Sequence, residues 1–425
     1  MKNSDVNYKN YLQILKEELV PAMGCTEPIA IAYAAAKAKE VLGCMPERVI
    51  VEVSGNIIKN VKSVIVPNTN HLKGIEAATA AGLVVGQAEK KLEVISEVAE
   101  EEKQMIKEYI ATYPIEVKLA DTPFIFDIQI NAFYKDSAVK VRIVNYHTNI
   151  ILIEKDGETL YIKDANASKE EGLTDKKLLN VEDIIDFANS VDIKDIEVVI
   201  GRQIEYNSKI AEEGLKNSYG ANIGSVLLST YGSDIKVRAK AKAAAGSDAR
   251  MNGCELPVII ISGSGNQGMT ASLPVIEYAK ELKVSKEKLY RALVISDLVT
   301  IHQKTGIGRL SAYCGAISAG AGSGAGIAYL YGGGYKEISH TIVNALSIVS
   351  GIVCDGAKAS CAAKIAAGVD AGILGYYMFK EGQQFKGGDG IVKKGVEATI
   401  YNVGKLAKEG MKETDKEIIK IMIGE

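Results

Sequence analysis

The apolar positions of this chain change their period twice. Residues 5–20 carry Tyr8, Leu12, Ile14, Leu15 and Leu19 near one helical face, and Pro21 ends the helix they predict. Thr26-Glu27-Pro28 reads as a new helix start, with Thr26 as N-cap and Pro28 in the first turn. An Ala-rich stretch continues it to Val41, and Gly43 closes it. From Arg48 the alternation becomes twofold. Residues 48–53, 63–66, 115–119, 124–133, 138–146, 150–154 and 159–162 predict strands, with helices over 74–90 and 95–111 between them. Beyond residue 197 the period is helical again and the chain is rich in Ala and Gly. Ten glycines among the 29 residues from Gly306 to Gly334 are too many for one regular helix, so helices broken by turns are expected there. The simplest α+β architecture is a helical domain formed by residues 1–45 and 197–425, with an α+β domain of residues 46–196 inserted. No tandem repeat is present.

Composition narrows the class. The chain has 425 residues, long enough for two or three domains with cores of their own. Fifty basic against 53 acidic residues give a formal charge of −3, which points neither to nucleic acid nor to an anionic membrane. The N-terminal residues are polar and amphipathic, without the apolar core of a signal peptide. Residues 310–335 are uncharged but built from Gly, Ala and Ser, and read as buried soluble structure rather than a membrane span. A cytoplasmic protein is expected. There the six cysteines stay reduced, which favours ligation or catalysis over a disulfide framework. With only four His, a histidine-built metal site is hard to assemble.

The chemistry therefore turns on Cys25, Cys44, Cys254, Cys314, Cys354 and Cys361. Cys354 and Cys361 lie in V-C-D-G-A-K-A-S-C, and Cys314 lies in R-L-S-A-Y-C-G, giving C-x39-C-x6-C. This is neither a ferredoxin run nor the paired spacing of a zinc site. On spacing alone, burial as small hydrophobes is the commoner use of such cysteines. Asp355 offers an N-cap to a helix from Gly356, with Cys361 in its second turn. In one unbroken helix, seven residues would separate the Cα atoms by about 10.5 Å, whereas a loop–helix junction can bring the sulfurs closer. Three thiolates on a [4Fe–4S] cube would leave one iron open as a Lewis acid. Cys25, in P-A-M-G-C-T-E-P, precedes a helix start whose positive end is expected to lower its pKa, making it a base or nucleophile. Packing at a turn explains it equally well. Glu27 is accounted for by the helix dipole alone.

Two loops suit a small carboxylate. Residues 262–268, S-G-S-G-N-Q-G, offer backbone N–H groups with Ser264 and Asn266. No complete G-x-G-x-x-G stands in a βαβ unit, so a dinucleotide is not expected. Residues 67–74 offer Asn68, Asn70, His71 and Lys73, although an ordinary strand–helix turn accounts for them as well.

Together, P-A-M-G-C-T-E-P, S-G-S-G-N-Q-G, G-R-L-S-A-Y-C-G and C-D-G-A-K-A-S-C make the chain resemble the L-cysteine desulfidase family over essentially its whole length. That family is related to the α chain of the iron–sulfur L-serine dehydratases, whose close members carry a further β-type domain not evident here. The resemblance implies a lyase with an oxygen-sensitive [4Fe–4S] cluster on Cys314, Cys354 and Cys361, Cys25 as general base, and no pyridoxal phosphate. It implies cysteine catabolism: L-cysteine and water giving pyruvate, ammonia and hydrogen sulfide. Asn70, Ser264 and Asn266 would orient the substrate, and Cys44 and Cys254 have no assigned role. Lys358 and Lys364 flank Cys361 and could offset charge. The expected partner is the small-molecule substrate, with no nucleic acid or membrane; a homo-oligomer is compatible with the chain. Three alternatives stay open: an iron–sulfur L-serine dehydratase, a pyridoxal phosphate lyase using Lys358 or Lys304, and an iron–sulfur or cysteine sensor without turnover.

Overall fold

Val49, Val51 and Val53 alternate with Arg48, Ile50 and Glu52, and the pairing of the strands turns that alternation into one continuous apolar face. A computed structural model describes residues 1–2, 5–165 and 173–424. Its strands are β1 (Pro21–Met23), β2 (Arg48–Val53), β3 (Ile115–Leu119), β4 (Asp127–Tyr134), β5 (Ser137–Val144), β6 (Ile150–Lys155), β7 (Glu158–Ile162) and β8 (Pro257–Ile259). Six form a sheet in the order β3-β2-β4-β5-β6-β7, parallel at β2–β3 and antiparallel elsewhere. Register sets Val49, Val51 and Val53 opposite Ala132, Ile130 and Ile128. Those face Val139, Val141 and Ile143 on β5. All nine side chains are buried. A slip of one residue would turn the whole set to the other face.

The helix Thr26–Leu42 covers this face, packed on β4 and β5 and backed by the helix Gly74–Val85. A Cβ on Gly82 would lie 2.1 Å from the Ala32 carbonyl oxygen, so these two helices approach backbone to backbone. The second core joins the helix Val6–Glu18 to the helices from Val181 onward. We propose that these two cores mark two units whose bounds differ from those expected from sequence: residues 29–42 pack with the sheet rather than the helical unit, and residues 179–196 with the helices rather than the inserted unit. The chain would then cross between them within residues 19–29 and 155–179, because residues 26–42 bury their apolar face against the sheet.

Several local expectations change. Residues 63–66 form no strand; Ile65 makes a single bridge to Lys73, and the unexpected helix Gly55–Val61 precedes it. The helix expected over 74–90 ends at Val85 and is followed by a 3-10 turn, Ala88–Glu93. The next helix is Glu100–Thr112. The Gly-rich region is broken by turns as expected, at residues 308–314 and 331–334, but the stretch between them, Gly315–Leu330, is one continuous helix despite its glycines. Tertiary packing overrides the low propensity of glycine here. A Cβ on Gly320 would stand 2.2 Å from the carbonyl oxygen of Gly368, and one on Gly324 would stand 2.7 Å from that of Gly372. Only hydrogen fits where this helix meets the helix Cys361–Lys380. Among the described residues no helix is long and apolar enough to cross a membrane.

Candidate functional site

Two short ladders assemble the site from distant segments. The first pairs β1 with β8, Pro21 opposite Ile259 and Met23 opposite Pro257. It sets the Cys25 turn beside the loop 262–268, and the Thr26 hydroxyl donates to the Gly263 carbonyl at 2.7 Å. The second joins Tyr313 to Val353, with Cys314 N–H donating to Ile352 O at 2.9 Å and Cys354 N–H to Ala312 O at 2.7 Å. Cys314 and Cys354 thereby become neighbours across 40 residues of sequence.

Helix starts supply the rest. Cys25 is the N-cap of the helix Thr26–Leu42, one residue before the expected position. Ser264 caps the helix Gly265–Glu281 and accepts from Gln267 N–H. Cys314 is the N-cap of the helix Gly315–Leu330, and Cys361 is the first residue of the helix Cys361–Lys380. Four positive helix ends therefore surround one cavity of about 100 Å³, lined by Cys25, Glu27, Arg250, Ser264, Asn266, Gln267, Lys304, Cys314, Cys354 and Cys361, among others. Asp355 is not the N-cap expected from sequence. Ser360 holds that place, Gly356 turns through a positive φ of 92°, and the Asp355 carboxylate pairs with Lys358 and Lys364.

The electrostatics separate the cysteines. The hydrogen bond between Cys314 and Cys354 draws the Cys354 thiol below its ordinary range, with Lys59, the Gly356 N–H and Lys364 assisting against burial. The same bond, with burial, holds Cys314 well up. Burial also raises Cys361. Cys25 departs from the sequence expectation. Its helix end should lower the thiol, but burial and then the charge of Glu27 raise it well above normal, with Arg250 opposing them. The thiol donates to Glu27 Oε2 at 3.0 Å. Burial pushes the Glu27 carboxyl up, yet interaction with His147, 3.9 Å away, and with the Cys25 thiol outweighs it and holds Glu27 at about 2. Lys304, buried beside the cysteines, is lowered to about 8 chiefly by burial.

The residues fit an iron–sulfur cluster. Among the described residues no three His, Cys, Asp or Glu side chains converge as a site for a single metal ion. Cys314, Cys354 and Cys361 border one shared space. Thiolates are the preferred ligands of iron–sulfur clusters, and Lys304 and Lys364 stand near the sulfurs of Cys314 and Cys354 to balance negative charge.

Of the substrate-orienting residues expected from sequence, Ser264 and Asn266 line the cavity. Asn70 does not: it is exposed and donates to Glu100 Oε1 at 3.1 Å. Asn68 is spent on the Ile95 carbonyl at 2.7 Å. Cys254 is buried in the helical core, and Cys44 packs against the core over the sheet. Sequence reasoning missed Arg250, Asn60 and Gln267, gave Glu27 a purely structural role, and weighed Lys304 only as a Schiff-base lysine. Arg250 had one signal: a lone Arg closing the Ala-rich run from residue 239 to residue 249.

Residues 89–420 match the serine dehydratase alpha chain family, a span that contains Cys314, Cys354 and Cys361 and begins after Cys25. Relatives similar over nearly the whole chain are proteins of the group named UPF0597. One from Desulfitobacterium hafniense is 68% identical, covering 100% of this chain and 99% of its own. One from Lachnoclostridium phytofermentans is 57% identical over 98% and 100%, and one from Treponema denticola is 49% identical over 98% of each. With three of the cavity's thiols, Cys314, Cys354 and Cys361, inside the matched span, the chain belongs to the serine dehydratase alpha chain family and is an iron–sulfur serine dehydratase-like protein.

Proposed function

We propose that the protein is an L-cysteine desulfidase, converting L-cysteine and water to pyruvate, ammonia and hydrogen sulfide without pyridoxal phosphate. The observation that carries this reading is the convergence of Cys25 with Cys314, Cys354 and Cys361 on one small cavity. A [4Fe–4S] cluster on the last three would supply a Lewis-acidic iron for the departing sulfur. Cys25 is the base for the Cα proton. Next to the ionised Glu27 its thiolate is strongly basic, and Glu27 is placed to exchange that proton through the 3.0 Å contact. Ser264 and Asn266, which line the same cavity, orient the substrate. Loss of the Cα proton and the sulfur leaves an aminoacrylate. Its imine tautomer hydrolyses to pyruvate and ammonia.

L-serine dehydration is the second reading, favoured by the family match itself. An anaerobic assay of the reconstituted, pyridoxal-free protein with each amino acid separates the two. Sulfide and pyruvate from cysteine are expected, and efficient pyruvate release from serine with no sulfide from cysteine would transfer the assignment. We further propose a cytoplasmic enzyme, in keeping with an oxygen-sensitive cluster.

A further inference from the structure

Arg250 has no role in the scheme above, and its surroundings are unusual. It ends the helix Ile235–Met251 and is only 3% exposed. Among the described residues no carboxylate oxygen lies within 4.0 Å of its guanidinium, the limit for an ion pair. Among the described residues its guanidinium makes one hydrogen bond, from Nη1 to Asn266 Oδ1 at 3.1 Å, and its buried Nε has no partner. A guanidinium presents five N–H donors, and burying it without an anion is costly. The fold nevertheless makes room for it. A Cβ on Gly265 would lie 2.4 Å from Arg250 Nε and 2.8 Å from Cζ, so the absence of a side chain there lets the guanidinium lie against the helix start. The group lines the same cavity as Cys25 and the three cluster cysteines.

We propose that Arg250 is the binding residue for the α-carboxylate of the amino-acid substrate, pairing with it through the donors that now lack partners. The proposal rests on the proposed lyase reading and deepens it. Asn266, whose oxygen is engaged by Arg250, presents its Nδ2 donors to the second carboxylate oxygen. The pair fixes the end of the substrate that does not react, and so holds the Cα proton toward Cys25. A fork of donors matches a carboxylate in a way that a lysine ammonium does not.

The test uses anaerobic reconstituted protein and two ligand pairs that differ only in the carboxylate: L-cysteine against cysteamine, and L-serine against ethanolamine. Binding is measured by calorimetry, alongside iron content per chain. Wild type should prefer the amino acid by about 10²-fold. Arg250→Met should bind both members of each pair alike at unchanged iron content, and Arg250→Lys should recover part of the preference. Retention of the full preference in Arg250→Met overturns the proposal. Loss of iron in both variants overturns it too, by showing that Arg250 balances the cluster rather than the substrate. Because discrimination and product release are read separately, the two readings fail separately: a wild type that discriminates but releases no product sinks the lyase assignment alone.

Discussion

The strongest structural prediction concerns Asp415, which lies outside the lining of the cavity. The helix Lys412–Ile423 lies against the helix Gly55–Val61 and is tied to it by one carboxylate. Asp415 Oδ1 pairs with Lys59 Nζ at 2.5 Å, and Asn56 Nδ2 donates to Asp415 Oδ2 at 2.7 Å. The Lys59 side chain is 1% exposed and that of Asp415 14%. At that separation the gross attraction is about 7 kcal/mol with an effective dielectric of about 20, much of it offset by desolvation. Asp415→Asn keeps the shape but strands a buried ammonium, which costs about 3–5 kcal/mol. Lys59→Met with Asp415→Leu removes both charges and should fall within about 1 kcal/mol of wild type. The site should feel the single change as well. A Cβ on Gly356 would lie 2.0 Å from the Lys59 carbonyl oxygen, so the Cys354 turn rests directly on this segment. Urea denaturation under anaerobic conditions, with iron release followed in parallel, measures both effects. A single Asp415→Asn variant displaced by less than about 1 kcal/mol, with normal iron retention, would refute the reasoning.

Serine at Cys314, Cys354 or Cys361 should strip iron on reconstitution, whereas Cys25→Ser should keep the cluster and lose roughly 10²–10⁴-fold in activity. Full iron in all three ligand variants, or iron loss in the fourth, reverses those roles. Asp297 is fully buried beside Gln203 Nε2 at 2.9 Å, and burial raises its carboxyl from 3.8 to about 8. The folded state therefore keeps a proton that the unfolded state has released, and this contribution is present at low pH and lost as pH rises through that window. Asp297→Asn should flatten the fall in melting temperature between about pH 4 and 8; an unchanged slope would show that other groups set it. Gly320→Ala drives a methyl to 2.2 Å from the Gly368 carbonyl oxygen and should destabilise by about 1–3 kcal/mol, checked by thermal melting.

What the sequence determined by itself was local period and chemical type. The strand-like pattern located β2, β3, β6 and β7 within about a residue; in β2 the reason is a buried face, which repeats its apolar residues every second position. The four cysteine-bearing and loop blocks likewise held enough residue identity to indicate an iron–sulfur lyase family. The sequence did not determine which segments meet. The continuous helix Gly315–Leu330 exists because backbone contact with Gly368 and Gly372 outweighs glycine's intrinsic cost, and that cost was all the local pattern could register. Cys25 shows the same limit in its chemistry. Its place before a helix predicts an acidic thiol, but burial and the charge of Glu27 reverse the sign, and both depend on the whole fold. Arg250 and Asn70 show the same limit in their burial. A lone arginine in an Ala-rich helix is buried at the cavity, and an asparagine in a loop suited to binding faces solvent, because burial is decided by what packs across the chain.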